Sequence, residues 1–255
     1  MLLAIDVGNT NTVVGVFENG RVTCHFRIQS VHDRMADEYR FMLAGLLREV
    51  GVDCERIDSV VISSVVPALT EALSDAATLL TGVAPLVVKP DIPLNVTIDI
   101  DNPAELGSDL IANAAAAYAR YGQSCIVVDF GTALTFTAVS DDGRIRGAAI
   151  APGLKTAAYA LSAGTAQLPE IDLSEPRSAI GTDTVGALRA GIVLGYEGLI
   201  TRIVAEMKRE LGGDVRVVAT GGLSRQMAER LDVIDDVDSW LTLDGLRVLA
   251  ELNRV

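Results

Sequence analysis

The chain has 255 residues, 49% of them hydrophobic, enough for one large core or two smaller ones at a length near the upper limit for a single domain. Its formal net charge of -13 repels nucleic acid and anionic membrane, and the 21 basic residues form no run to offset it. No apolar run reaches bilayer length, and Cys24, Cys54 and Cys125 lack the spacing of a zinc site or a disulfide framework. The opening MLLAI meets Asp6 too early, and without a basic flank, to read as a signal peptide, so a cytoplasmic address is expected.

In chain order, 2-LLAIDVGNTNTVVGVFENGRV-22 reads as an apolar strand, an Asp-x-Gly turn, a second strand, a Glu18-Asn19-Gly20 turn and a third strand. His25 and His32 follow without partner carboxylates at metal spacing. A helical pattern at about 35–50 leads to a strand at 58–66, a helix at about 67–81 and a short strand at 85–88. An alanine-rich helix then opens at Ser108-Asp109. The next stretch, 125-CIVVDFGTALTFTAVSDDGRI-145, aligns with the first without a gap: Asp6 with Asp129, Gly8 with Gly131, Thr12 with Thr135, Val16 with Val139 and Gly20-Arg21 with Gly143-Arg144. After it come a Pro-Gly turn at 152–153, a long helix at about 183–211, a strand at 215–220, a Gly-Gly turn and a terminal helix. Within the long helix, 187-ALRAGIVLGYEGLI-200 reads as a buried helix with small residues for close packing, a candidate dimer seam. Strands leading and helices following, twice over, predict two α/β lobes with mixed sheets, at residues 1–121 and 122–255.

An isolated DVGNTNT is most simply an Asn/Gly hairpin turn. Its recurrence as DFGTALT favours a pair of phosphate loops, since glycine admits a ligand to the backbone and successive N–H groups with Thr and Asn side chains suit an anion. Neither a P-loop nor a dinucleotide fingerprint is present. The Gly221-Gly222 turn, between a strand and a helix, is either an ordinary connection or an opening for the flat face of a nucleobase. Asp109 is either a helix-start carboxylate or a chemical base; with Ser108 free to cap, Asp109 falls in the first turn, where the positive helix end would hold it ionised.

Two lobes each opening with an Asp-x-Gly hairpin resemble the actin, hexokinase and Hsp70 nucleotide-binding superfamily, a duplicated ribonuclease H-like fold. Within it, AIDVGNTNTVVG, PAELGSDLIANAAAA, VVDFGTALTF, AAIAPGL, GTDTVGALRAGIVLGYEGLI and ATGGL resemble, in order and spacing, type III pantothenate kinase. The resemblance implies ATP-dependent phosphorylation of pantothenate, the first step of coenzyme A synthesis, with Mg²⁺ and a monovalent cation, K⁺ or NH₄⁺. It assigns Asp6, Val7, Gly8, Asn9, Thr10, Asn11, Thr12 and Val13 to the ATP phosphate loop, with Asp6 near the Mg²⁺. Thr132 becomes a phosphate contact, Gly221 and Gly222 border the adenosine, and Asp129 holds the monovalent cation. Asp109 becomes the catalytic base, and Ile100, Gly107, Ser108, Asp109, Leu110 and Thr184 line the pantothenate site. A homodimer is implied as well. The chain departs from the family pattern on the acceptor side, with Leu110 for an arginine, Ile100 for a tyrosine and Asp183 for an asparagine. Two neighbouring readings use the same residues: a kinase of this fold with another hydroxyl acceptor, and a non-enzymatic nucleotide-binding regulator like the Bvg accessory factors.

Overall fold

The apolar run Leu2–Val7 forms β1, the central strand of a five-stranded sheet in the computed structural model, which describes residues 1–253. β2 (Asn11–Glu18) pairs antiparallel with β1, and β3 (Arg21–Gln29) antiparallel with β2. On the other side β4 (Ser59–Ser64) runs parallel to β1, and β5 (Leu86–Val87) parallel to β4, for an order β3-β2-β1-β4-β5. Parallel neighbours need long crossovers, and α1 (Ala36–Glu49) and α2 (Pro67–Thr81) supply them. Leu43, Leu47, Leu69 and Leu73 of these helices join Leu3, Ile5 and Val14 of the sheet in one buried cluster. After a two-residue strand, β6 (Thr97–Ile98), comes the alanine-rich helix α3 (Ser108–Tyr121).

The second half repeats the plan. β7 (Cys125–Phe130), β8 (Ala133–Val139) and β9 (Arg144–Pro152) form an antiparallel meander. Helices α4 (Leu154–Ala163) and α5 (Thr184–Leu211) lead to β10 (Arg216–Gly221), parallel to β7. The short helix α6 (Ser224–Ala228) leads to β11 (Asp236–Val237), parallel to β10. Ile126, Val128, Phe136, Ile200, Val204 and Val217 anchor the core here. The predicted elements are present in their predicted order.

Two expectations need correction. The chain divides into Met1–Arg120 with the described part of Leu241–Val255, and Tyr121–Trp240. The terminal helix α7 (Leu241–Leu252), expected in the second lobe, therefore belongs to the first. Its physical reason is the fit of α7 on α3 and the first sheet. Leu243 packs on Gly15 of β2, Thr242 donates to Asn113 Oδ1 at 2.8 Å, and Arg120 bridges to Asp244 at 2.9 Å. Gly245 lies so close to the Ala112 carbonyl that a Cβ would overlap it.

The gapless repeat is also out of step by one residue in its middle. Val7 pairs with Thr12 across the first loop, whereas Phe130 pairs with Leu134 across the second, so the counterpart of Thr12 is Leu134, not Thr135. By the same register Val16, opposite Leu3, corresponds to Ala138, opposite Ile126. The second loop is one residue shorter and its following hairpin turn one residue longer. The first turn is the tight Asn19-Gly20 pair, both left-handed at φ 52 and 74; the second is a wider Ser140–Arg144 turn with only Gly143 left-handed. The two changes cancel, which is why both ends of the sequence repeat stay aligned.

Replacing Gly245 by alanine would drive a methyl carbon into the α3 backbone. Gly245→Ala is expected to lose roughly 1–3 kcal/mol, seen as a lower denaturation midpoint, although alanine is the better helix former.

Candidate active site

In the first unit the candidate groups gather at the carboxyl ends of β1 and β4, the edge at which open α/β sheets commonly take ligands. Asp6, the penultimate residue of β1, stands in register with Val13 of β2 and Ser63 of β4. Beyond Val7 the chain turns through Gly8, whose N–H donates to the Asn11 carbonyl at 3.0 Å, while Asn9, Thr10 and Asn11 are exposed. The loop thus presents amide and hydroxyl donors at its tip, which suits the anionic oxygens of a triphosphate. Val7 and Thr12 are buried, and Val13 is half-buried. Thr12 is fully enclosed and its hydroxyl bonds Ser30 at 2.9 Å, so its side chain faces inward, away from the exposed tip.

The start of α3 is tied to the same edge. Ser108 Oγ accepts from the Ser64 N–H at 2.8 Å, donates to the Ser64 carbonyl at 3.1 Å and lies 3.0 Å from Ser63 Oγ. Its residue type leaves Ser108 free to cap its own helix. Instead it is the first residue of α3, and its hydroxyl is used to fasten that helix to β4. The neighbouring Asp109 sits in the first helical turn, with Oδ1 accepting from the Leu110 N–H at 2.9 Å. A Cβ at Gly107 would stand 2.5 Å from that same oxygen and 3.7 Å from Val65, so glycine leaves the space the carboxylate fills.

Burial pushes the Asp109 carboxyl above the usual carboxylate range, and the backbone N–H bonds from Leu110 and Asp109 itself offset this only in part. Desolvation thus outweighs the helix-start N–H groups in setting the direction of the shift. A raised pKa makes the ionised form a stronger proton acceptor.

In the second unit Asp129, penultimate in β7, is flanked by Thr135 of β8 and Thr220 of β10. Gly221 has φ +88, and a Cβ on it would stand 2.5 Å from Asp129 Oδ1. The Gly221-Gly222 turn thus abuts Asp129, an adjacency no sequence spacing indicates. Ser224 Oγ fixes the turn by donating to the Gly221 carbonyl at 2.7 Å, and Gly222 is exposed. Thr132 is exposed, and its carbonyl accepts from the Gly153 N–H at 2.9 Å and the Thr156 hydroxyl at 2.7 Å. Among the described residues no group of three His, Cys, Asp or Glu side chains could hold a metal alone. A hard cation beside Asp6 or Asp129 would take its other ligands from phosphate, backbone or water oxygens, as Mg²⁺ commonly does.

The acceptor-side residues are less uniform. Leu110 is 6% exposed, facing the interior rather than a binding surface, while Ile100 is half-buried. Thr184 is exposed at the start of α5, after Asp183, whose carboxylate caps the helix by accepting from the Gly186 N–H at 2.7 Å. It lines a groove of about 430 Å³ with Leu161, Leu168, Leu188 and Ile192. The small-residue segment of α5, expected as a buried helix, is buried on one side only: Ala190, Val193, Tyr196 and Ile200 face the core, and Gly191, Gly195 and Gly198 border open space. Sequence reasoning passed over Ser30, Ser63 and Ser64. The serine pair ending SVVISS, at the tip of a strand beside β1, is the signal that could have found two of them.

The sequence model of type III pantothenate kinase matches residues 2–206. A type III pantothenate kinase from Moorella thermoacetica is 46% identical over 253 residues, covering 99% of this chain and 100% of that one. Another, from Syntrophotalea carbinolica, is 45% identical and covers 100% of both. Among solved structures, a Baf family protein from Campylobacter jejuni superposes with TM-score 0.58 at 20% identity, covering 98% of each chain. The activator of 2-hydroxyisocaproyl-CoA dehydratase from Clostridium difficile, solved with ADPNP, gives 0.56 at 16% identity, over 98% of this chain and 92% of that one. The structural likenesses agree with the two-lobed actin-like fold, and the sequence matches along nearly the whole chain show that it belongs to the type III pantothenate kinase family.

Proposed function

We propose that the protein transfers the γ-phosphoryl group of ATP to the primary hydroxyl of pantothenate, the opening step of coenzyme A synthesis. The observation that carries this reading is the placement of Asp109: a carboxylate with a raised pKa, on a helix fastened by Ser108 to the strand edge that also carries Asp6 and the exposed loop tip. Phosphoryl transfer needs positioning, charge neutralisation and a group to orient the attacking hydroxyl. Asp109 takes the hydroxyl proton as the new O–P bond forms and the bond to the ADP oxygen breaks; a positioned base of this kind contributes on the order of 10²–10⁴ in rate. Asn9, Thr10 and Asn11 bind the triphosphate, with Asp6 toward its Mg²⁺, which supplies neutralising charge. Among the residues of the second unit, Thr132 would contact phosphate, Asp129 would hold the monovalent cation, and Gly221 with Gly222 would border the adenosine. Leu110 offers the acceptor no polar group, so on the first unit pantothenate is recognised by backbone and side chains around Gly107 and Ile100.

The protein acts as a homodimer through the α4–α5 face. Tyr159 and Leu161 on α4, Leu194 on α5 and Ile180 before it are exposed, and the glycines of α5 leave room for a close neighbour. Thr184 lies on this face, which supports an acceptor site beside the dimer seam.

ADP release measured with and without pantothenate, and with K⁺, NH₄⁺ or Na⁺, tests the reaction. Pantothenate-dependent release is expected; its absence at millimolar pantothenate would overturn the assignment. Asp109→Asn is expected to lower kcat by at least about a hundredfold. Because the folded pKa of Asp109 is raised, its contribution to stability is full below the ordinary carboxylate range and is lost as pH rises through the folded value. Neutralising it should therefore raise the melting temperature at pH 7, whereas a carboxylate serving mainly the helix dipole would give the opposite sign. The same shift predicts an acid limb in the wild-type rate profile above the normal aspartate range, with activity falling as pH drops. For the dimer, Leu194→Asp should halve the mass in light scattering; an unchanged mass would rule out this face.

A further inference from the structure

Just past β3, Ser30 makes three bonds to the first phosphate loop. Its N–H donates to the Thr10 carbonyl at 3.0 Å, its hydroxyl donates to the Gly8 carbonyl at 2.7 Å, and the same oxygen lies 2.9 Å from Thr12 Oγ1. A serine hydroxyl has one proton. Since that proton lies on the bond to Gly8, Thr12 is the donor in the remaining contact. Thr12 is fully buried, so its hydroxyl proton is committed to Ser30.

The second loop shows what this position does. The Gly153 N–H donates to the Thr132 carbonyl just as Ser30 does to Thr10, which makes Gly153 the counterpart of Ser30. There is no room for a side chain at Gly153: a Cβ would overlap the Gly131 carbonyl and stand 2.6 Å from the Thr132 carbonyl. The counterpart of Thr12 is Leu134, which has no hydroxyl to offer. The shorter second loop therefore closes directly on backbone, while the longer first loop leaves a gap that the Ser30 hydroxymethyl group fills and bridges.

We propose that Ser30 is the positioning residue of the first phosphate loop: by linking the Gly8 carbonyl, the Thr10 carbonyl and the Thr12 hydroxyl, it holds the loop in its nucleotide-accepting shape without touching the nucleotide. The inference rests on the assignment of this loop to ATP. In Ser30→Ala the Gly8 carbonyl and the Thr12 hydroxyl lose their shared partner, and the loop must be ordered by the nucleotide itself.

The test compares wild type, Ser30→Ala, Ser30→Thr and, as a destabilised control outside the loop, Leu73→Ala in the α2 core. Mg·ATP affinity is measured by calorimetry and steady-state constants in the ADP-release assay. Ser30→Ala should weaken Mg·ATP binding and raise its KM about tenfold, a change equivalent to one or two lost hydrogen bonds. Its kcat and the KM for pantothenate should change by less than about twofold. Ser30→Thr, which keeps the hydroxyl, should restore ATP affinity, and Leu73→Ala should leave that affinity unchanged despite a lower melting temperature. Wild-type ATP affinity in Ser30→Ala, or an equal loss in Leu73→Ala, overturns the proposal, as does a wild type that binds no Mg·ATP. A wild type that binds Mg·ATP but shows no pantothenate-dependent turnover strikes the kinase reading instead, and the affinity ratio still decides the role of Ser30.

Discussion

One hydroxyl group fixes the geometry on which the first unit's chemistry depends. Ser108 bonds both backbone groups of Ser64, so the first turn of α3 cannot slide along the sheet without breaking them. β4 is in turn held in register beside β1, with Ser63 next to Asp6. The position of Asp109 relative to the loop after β1 is therefore set by one side chain and one pair of parallel strands. Long-range precision arises from short, saturated contacts, because hydrogen bonds weaken steeply away from their preferred geometry.

The same economy explains why the glycines at the site are not interchangeable. Gly107 and Gly221 each stand where a Cβ would meet a carboxylate oxygen, that of Asp109 in one unit and of Asp129 in the other. In both units a carboxylate at a strand or helix end is seated against a residue with no side chain. For Asp109 that seat is also dry enough to raise its pKa, so the burial that fixes where the carboxylate sits also tunes how strongly it holds a proton.

Much of the architecture was legible in the sequence because it is written in period and punctuation. Alternating and continuous apolar runs mark the strands, and glycine turns mark the repeat; the meanders, α2, α3 and α5 lie where those signals put them. What stayed hidden is relational. A one-residue deletion in the second loop is cancelled by an insertion in the next turn, and a linear alignment sees only the intact ends. Ser108 has the composition of a cap, yet its hydroxyl turns to another element, which depends on what packs beside it. The inward side chain of Leu110 and the membership of α7 in the first unit are likewise decided by packing partners distant in sequence.

That last feature gives the protein an order of assembly. The helix bearing Asp109 ends near the middle of the chain, but the surface it packs against, with Gly245 on Ala112 and Thr242 on Asn113, comes from α7, which follows the whole second unit. During synthesis α3 is made before Tyr121–Trp240 and α7 after it, so this face of α3 can be covered only once the second unit has been made. A chain cut before α7 can carry both glycine loops and still lack the support behind Asp109. The seat of Asp109 is thereby completed from a part of the chain made after the second unit.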